Sequence, residues 1–214
     1  IEGARALSLF YAKFMDIEKL GTEEEKVHAD KVLQFLTPIC KAYMTDMGLE
    51  TTSLGVQVFG GHGFIREWGM EQLMRDVRIA MLYEGTNGIQ ALDLIGRKLT
   101  RDGGDMLNAT YQAFNELVEA MTDNDNKALA QGLLDDWRAS SADCLGMDAT
   151  TAASAACDYL AYTAYSLIGV LWFSMADTAA QSDNTVIATA KQKTRDFYID
   201  RILPRRDAHK VAYS

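Results

Sequence analysis

Proline is almost missing: there are 2 in 214 residues. Few positions are therefore barred from helix, and frequent alanine, leucine and methionine favour it. Alternating strand patterns are nearly absent too, which excludes a sheet-based fold. Cysteine is scarce. Cys40, Cys144 and Cys157 are odd in number and widely spaced, which speaks against a disulfide framework and for a reducing compartment. The three histidines, His28, His62 and His209, sit beside no cysteine pair, so no metal spacing is visible and no metal is expected. Positive charge is in deficit, with 21 basic against 30 acidic residues and a net charge of -9. That balance argues against nucleic acid or an anionic membrane as the main partner. An initiator methionine and a signal peptide are also lacking. The first residues, IEGARALSLFYAKFMD, read as the middle of a helix, and the expectation is a piece of a longer polypeptide.

What is present is an ordinary apolar content of 48%, enough for a real core. One stretch, 159–176, holds 18 residues without a charge and just reaches the length of a membrane span. Tyrosine, threonine, serine and glycine recur inside it, and Asp158 and Asp177 bracket it. The expectation is a helix buried in a bundle or subunit interface, with a membrane-docked helix as the alternative.

Ile1, Ala4, Leu7, Leu9, Phe10, Phe14 and Ile17 fall at helical spacing over residues 1–20, and Gly21 ends that helix. Thr22 with Glu25 forms a capping box for a second helix. It is expected to run to about Leu36, where Thr37 and Pro38 interrupt it, and a third to run on to Phe59. Residues 60–69, GGHGFIREWG, read as loop, and 70–78 as a short helix. Thr86 or Asn87 caps a helix carrying Ile89, Leu92, Ile95 and Leu99 on one face. RDGGD at 101–105 marks a boundary. Beyond it, helices are expected near 105–121, 125–139, 147–181 and 186–203.

Candidate chemistry gathers between residues 57 and 90. GGHG looks like part of a dinucleotide fingerprint, but it follows a helix and lacks the GxGxxG spacing. Its glycines allow positive φ and close backbone approach. His62 reads as an exposed or hydrogen-bonded loop residue. Arg75, Asp76 and Arg78 read as an ion-pair network centred on Asp76. In YEGTNGIQ, residues 83–90, one carboxylate stands before a helix start. Leu82 and Tyr83 beside Glu84 suggest partial desolvation, which would raise its pKa toward that of a working base. The helix start favours the charged form, and its N–H groups suit a phosphate. A helix-capping glutamate is the plain alternative.

The order of these pieces carries more than any one of them. Gln57-x-x-Gly60-Gly61-x-Gly63, then Arg75-Asp76-x-Arg78, then Tyr83-Glu84-Gly85-Thr86 resembles the C-terminal helical domain of flavin-dependent acyl-CoA dehydrogenases. The resemblance implies an all-α fold: residues 1–100 as that helical bundle without its first helix, and residues 101–214 as the additional helical domain of a longer subgroup. That subgroup includes 3-methylmercaptopropionyl-CoA dehydrogenase-like proteins as well as enzymes of fatty acyl-CoAs. It implies Glu84 as the catalytic base that removes the α proton of an acyl-CoA while the β hydrogen leaves as hydride to flavin N5. The Glu84 N–H would polarise the thioester carbonyl. Tyr83 and Gly85 would border the acyl chain. Gln57, Gly60 and Gly61 would touch the ADP half of FAD, largely that of a neighbouring subunit. Thr86 and Gln90 would lie near the flavin diphosphate and adenine. Gly88 departs from the acidic or amide residue of many relatives. The implied partners are acyl-CoA, an electron-transfer flavoprotein and further copies in a homodimer or homotetramer. The implied location is bacterial cytoplasm, or mitochondrial matrix in a eukaryote. The family's N-terminal helical and middle β domains are not in this sequence, so alone it is expected to be inactive and to bind FAD poorly. The other readings are an acyl-CoA oxidase, from which the EGTNGIQ form leans away, and a non-catalytic helical oligomerisation module.

Overall fold

The apolar stripe of residues 1–20 folds as α1, Glu2–Leu20, which buries Gly3, Leu7, Phe10 and Phe14. Spacings of three and four residues put these on one face. The computed structural model describes residues 1–213, and among them every regular element is helical and no strand occurs. The Gly21 N–H closes α1 on the Ile17 carbonyl at 2.8 Å. The capping box then opens α2, Glu23–Phe59: Glu25 N donates to Thr22 Oγ1 at 3.3 Å, and Thr22 N donates to Glu25 Oε2 at 2.7 Å.

The expected break at Thr37 and Pro38 does not occur. α2 runs through both as one helix of 37 residues, roughly 55 Å long at the usual rise. Pro38 lacks an N–H, so the Gln34 carbonyl loses its usual helical partner. That carbonyl instead accepts a hydrogen bond from Lys98 Nζ. Thr37 Oγ1 also donates to the Leu33 carbonyl at 2.6 Å. A side chain 64 positions away thus fills the proline's gap, which no local rule could reveal.

Past α2, the expected loop contains a single turn, α3 (Gly61–Phe64), and a 3₁₀ turn, Arg66–Trp68. α4 (Met70–Val77) continues into a second 3₁₀ turn, Arg78–Met81. α5 (Asn87–Leu92) widens into a π-helical segment, Asp93–Arg101, from which Lys98 reaches α2. Gly103 and Gly104, at φ 72° and 89°, end it. α6 (Asp105–Glu119), α7 (Asn124–Asp143), α8 (Ala149–Ala180) and α9 (Thr185–Phe197) follow, with a π turn at Tyr198–Ile202 after α9.

The sequence reading stopped at residue 203, but α10, Arg205–Tyr213, comes after it. Its sequence RRDAHKVAY carries few apolar residues, and polar contacts tie it to the bundle: Lys210 pairs with Asp136 at 2.6 Å, and His209 Nδ1 lies 2.8 Å from Asp158 Oδ1.

α8 is the core helix. It alone among the described residues is long and apolar enough to cross a membrane, yet 83% of its apolar window is buried inside the fold. It packs on α1, α2, α5, α7, α9 and α10. A helix apolar on all sides needs such a surround. Aromatic contacts join the two halves of the chain around it: Phe10 with Phe114 at 4.4 Å, Phe35 with Trp137 at 6.0 Å and Tyr43 with Tyr165 at 5.2 Å. One continuous apolar cluster therefore runs from Leu7 to Tyr213.

Asp177, on α8 and 4% exposed, holds the turn before α7. Its carboxylate accepts from Asp123 N at 2.8 Å, from Thr122 N at 3.1 Å and from Gln181 Nε2 at 3.1 Å. Burial pushes its pKa up, but these donors outweigh burial and hold it below the ordinary carboxylate value. A depressed folded pKa means that the unfolded chain binds more protons in acid. The stability from this group is present above the unfolded value of about 3.9 and is lost as pH falls through the folded value. Asp177→Asn is expected to cost about 2 kcal/mol at pH 7. In urea unfolding, the gap between variant and parent should close below about pH 4; a gap that persists at lower pH overturns the assignment.

Candidate active site

The loop after the Arg78–Met81 turn has an unusual backbone. Glu84 has φ 55°, the only positive value at a non-glycine position among the described residues. A side chain in this region costs of order 1–3 kcal/mol, held only where surroundings impose it. Gly85 follows at φ 86°, where glycine has no such penalty.

The surroundings that impose it come from α2 and α5. Lys41 Nζ donates to the Gly85 carbonyl at 2.6 Å and to Asn87 Oδ1 at 2.8 Å. Gln90 Nε2 donates to the Glu84 carbonyl at 3.1 Å. Asn87 Nδ2 lies 2.7 Å from Asp46 Oδ1, 3.0 Å from Thr45 Oγ1 and 3.1 Å from the Ala42 carbonyl. Burial holds the Asp46 carboxyl above the usual range; Asn87, Lys41 and Arg78 offset only part of that. Thr86 is the cap of α5, its Oγ1 accepting from Ile89 N at 3.4 Å. One N–H expected to meet a phosphate is therefore already bonded within the chain. The Glu84 N–H, by contrast, has no acceptor among the described residues.

Glu84 itself is exposed, and Leu82 and Tyr83 beside it are 47% and 53% exposed. The burial expected from these neighbours does not arise within this chain, since all three residues are exposed. A cleft of about 400 Å³ between α1, α2, α8 and α9 lies elsewhere and does not include Glu84.

Gln57, Gly60 and Gly61 sit together at the far end of α2 and are exposed. Gly60, at φ 60°, terminates the helix with its N–H on the Gln57 carbonyl at 3.1 Å. No atom lies within 4 Å of where a side chain on Gly60 or Gly61 would begin, so this backbone face is open. Between Lys41 and Gln57, α2 covers roughly 24 Å. The structure thus gathers Tyr83, Glu84, Gly85, Thr86 and Gln90 in one place and the glycine turn in another.

His62 makes an edge contact with Trp68, ring centroids 5.1 Å apart. The ion-pair network expected at Asp76 is corrected. Arg75 pairs with Glu71 at 3.4 Å, and Asp76 pairs with neither arginine. Neighbouring positions on a helix diverge by about 100°, whereas positions four apart share a face. Among the described residues no group of three or more metal-type ligands occurs.

Sequence reasoning missed Lys41, Thr45, Asp46 and Asn87 as supports of this loop. The available signal was the polar pair at 41 and 45, four apart on a helix whose neighbours Ala42 and Tyr43 are buried.

More than half of the large exposed apolar side chains fall between Leu54 and Leu92, Val58 and Phe64 being 84% and 80% exposed. Such exposure marks an interaction surface.

Comparison with known proteins gives two family matches. Residues 1–100 match the family described as "Acyl-CoA dehydrogenase, C-terminal domain". Residues 97–213 match "Acetyl-CoA dehydrogenase C-terminal like". The 3-methylmercaptopropionyl-CoA dehydrogenase of Ruegeria pomeroyi is 44% identical over 119 residues, which is 56% of this chain and 20% of that protein. A butyryl-CoA dehydrogenase of Syntrophomonas wolfei is 40% identical over 106 residues, covering 49% and 17% respectively. A broad-specificity linear acyl-CoA dehydrogenase of Mycobacterium tuberculosis is 34% identical over 139 residues, covering 62% and 22%. The chain spans about a fifth of the length of these relatives.

Proposed function

The chain belongs to the acyl-CoA dehydrogenase family through its C-terminal regions, and from that premise we propose that it supplies the catalytic base of an FAD-dependent acyl-CoA dehydrogenase. The observation that carries this reading is the Glu84 loop. A left-handed backbone carries an exposed carboxylate at a residue whose N–H has no acceptor among the described residues.

In this reading Glu84 takes the α proton of an acyl-CoA thioester. Its backbone N–H donates to the thioester carbonyl and stabilises the enolate-like charge that develops there. The α proton is far less acidic than a carboxylic acid, so this polarisation is required for proton removal. Tyr83 and Gly85 border the acyl chain beside the reacting carbons. Bound FAD supplies the acceptor for the β hydrogen, which leaves as hydride to give a trans-2-enoyl-CoA. The residues present fit one edge of that cofactor: the exposed Gln57 and the open Gly60–Gly61 backbone suit its ADP half, with Thr86 and Gln90 toward the diphosphate and adenine. The roughly 24 Å of α2 between Gln57 and Lys41, which tethers the Glu84 loop, suits contacts to two different FAD molecules, one from a second copy. The exposed apolar surface between Leu54 and Leu92 supports a homodimer or homotetramer and further walls for the site. An electron-transfer flavoprotein is the proposed electron acceptor.

The test uses the full-length polypeptide that carries this sequence, loaded with FAD and mixed with acyl-CoAs of different chain length without oxygen. Bleaching of the oxidised flavin band by at least one acyl-CoA is expected. Flavin that dithionite reduces but no acyl-CoA bleaches would overturn the reading.

A further inference from the structure

We propose that Lys41 and Asn87 are positioning residues for the Glu84 base, fixing its left-handed backbone by holding the Gly85 carbonyl and the first turn of α5 against α2. This rests on the function proposed above and adds to it the residues that aim the base.

Two carbonyls flank the Glu84–Gly85 peptide, and both are restrained. Gln90 Nε2 holds that of Glu84 at 3.1 Å and Lys41 Nζ that of Gly85 at 2.6 Å. The Glu84 N–H has no acceptor among the described residues, and the Glu84 residue is exposed. Lys41 is half-buried, yet its ammonium has no carboxylate within ion-pair distance. It is directed at two neutral oxygens, Gly85 O and Asn87 Oδ1. Asp46, five residues on and roughly 140° round α2 from Lys41, is taken by Asn87 at 2.7 Å. Asn87 therefore bridges Lys41 and Asp46 while forming the first residue of α5. The arrangement ties the loop to the middle of α2.

A base displaced by about 1 Å loses on the order of a hundredfold in rate. The test compares Lys41→Met and Asn87→Ala with the parent in the full-length flavin-loaded protein, by stopped-flow flavin reduction over a range of acyl-CoA concentrations. Lys41→Arg serves as the conservative rescue. The expected result is a limiting reduction rate about 10²-fold lower for Lys41→Met. The acyl-CoA dissociation constant should shift by less than about threefold, flavin content should be retained, and Lys41→Arg should recover most of the rate. Parent-like limiting rates in both variants would overturn the inference. So would a rate loss matched by an equal loss of bound flavin, or one that Lys41→Arg does not repair. Glu84→Gln, run alongside, keeps the two ideas apart. If Glu84→Gln is slow and Lys41→Met is not, the positioning role alone fails; if Glu84→Gln reduces like the parent, the base assignment itself fails.

Discussion

Replacing Glu84 with glutamine in the full-length, flavin-loaded protein is expected to slow anaerobic flavin reduction at least ~10³-fold, about 4 kcal/mol in barrier. Glutamine has nearly the same shape and keeps the backbone N–H that polarises the thioester. It lacks only the basic oxygen. The loop should therefore stay in place, because its restraints come from Lys41 and Gln90 acting on backbone carbonyls and not on the Glu84 side chain. The variant should still bind acyl-CoA, seen as a perturbed but unbleached flavin spectrum. Reduction at the parent's rate would mean that the proton leaves to another group, and the loop would be only a capped helix start. Loss of binding along with rate would point to a structural lesion, which Glu84→Asp separates, since its shorter carboxylate should recover part of the rate.

The second large effect concerns stability. Lys98, 6% exposed, fills the gap that Pro38 leaves in α2 and also pairs with Asp93 at 3.5 Å. Burial lowers its pKa, with Asp93 opposing, so its charge is maintained at a cost. Lys98→Ala leaves the part-buried Gln34 carbonyl without that donor, removes the Asp93 pair and is expected to destabilise the protein by about 3 kcal/mol. For a chain of this size that is a fall in midpoint of roughly 6–12 °C. Pro38→Ala supplies the missing N–H, so the same lysine substitution in that background should cost about half as much, a coupling of about 1.5 kcal/mol. Urea unfolding of the four proteins measures this cycle. Equal costs in both backgrounds would show that Lys98 works through Asp93 and packing, not through the proline's carbonyl.

These cases show where sequence stops speaking for structure. The capping box at Thr22 and Glu25, the stripe of α1 and the enclosure of 159–176 were legible because each depends on residues a few positions apart, or on composition. Pro38 was misread because the carbonyl it leaves free, that of Gln34, is satisfied by Lys98, 64 residues further along the chain. α10 was missed because polar contacts with Asp136 and Asp158 hold it and its few apolar residues leave little stripe to read. Arg75 was assigned to its neighbour Asp76 when helical geometry puts Glu71 on its face. At the site, the residue types and their order in YEGTNGIQ drew attention to Glu84. The left-handed backbone there and its tether to Lys41 appear only in three dimensions. The solvent around Glu84 was equally hidden, since adjacency to Leu82 and Tyr83 in sequence says nothing about which way they point.

The central place of α8 bears on how the chain is made. Glu2 meets Lys191 across 189 positions, and Glu50 meets Arg205 across 155. The inner faces of α1 and α2, with Leu7, Phe14 and Tyr43, are closed off by helices synthesised much later. At ordinary translation speeds the ribosome takes on the order of ten seconds to go from α2 to the end of α8. Through that interval a sticky half-bundle waits beside the exit tunnel, and contacts so distant along the chain are slow to find each other. The nascent protein is thus a natural client for chaperones, and a ribosome stalled before residue 180 would leave a product prone to aggregate.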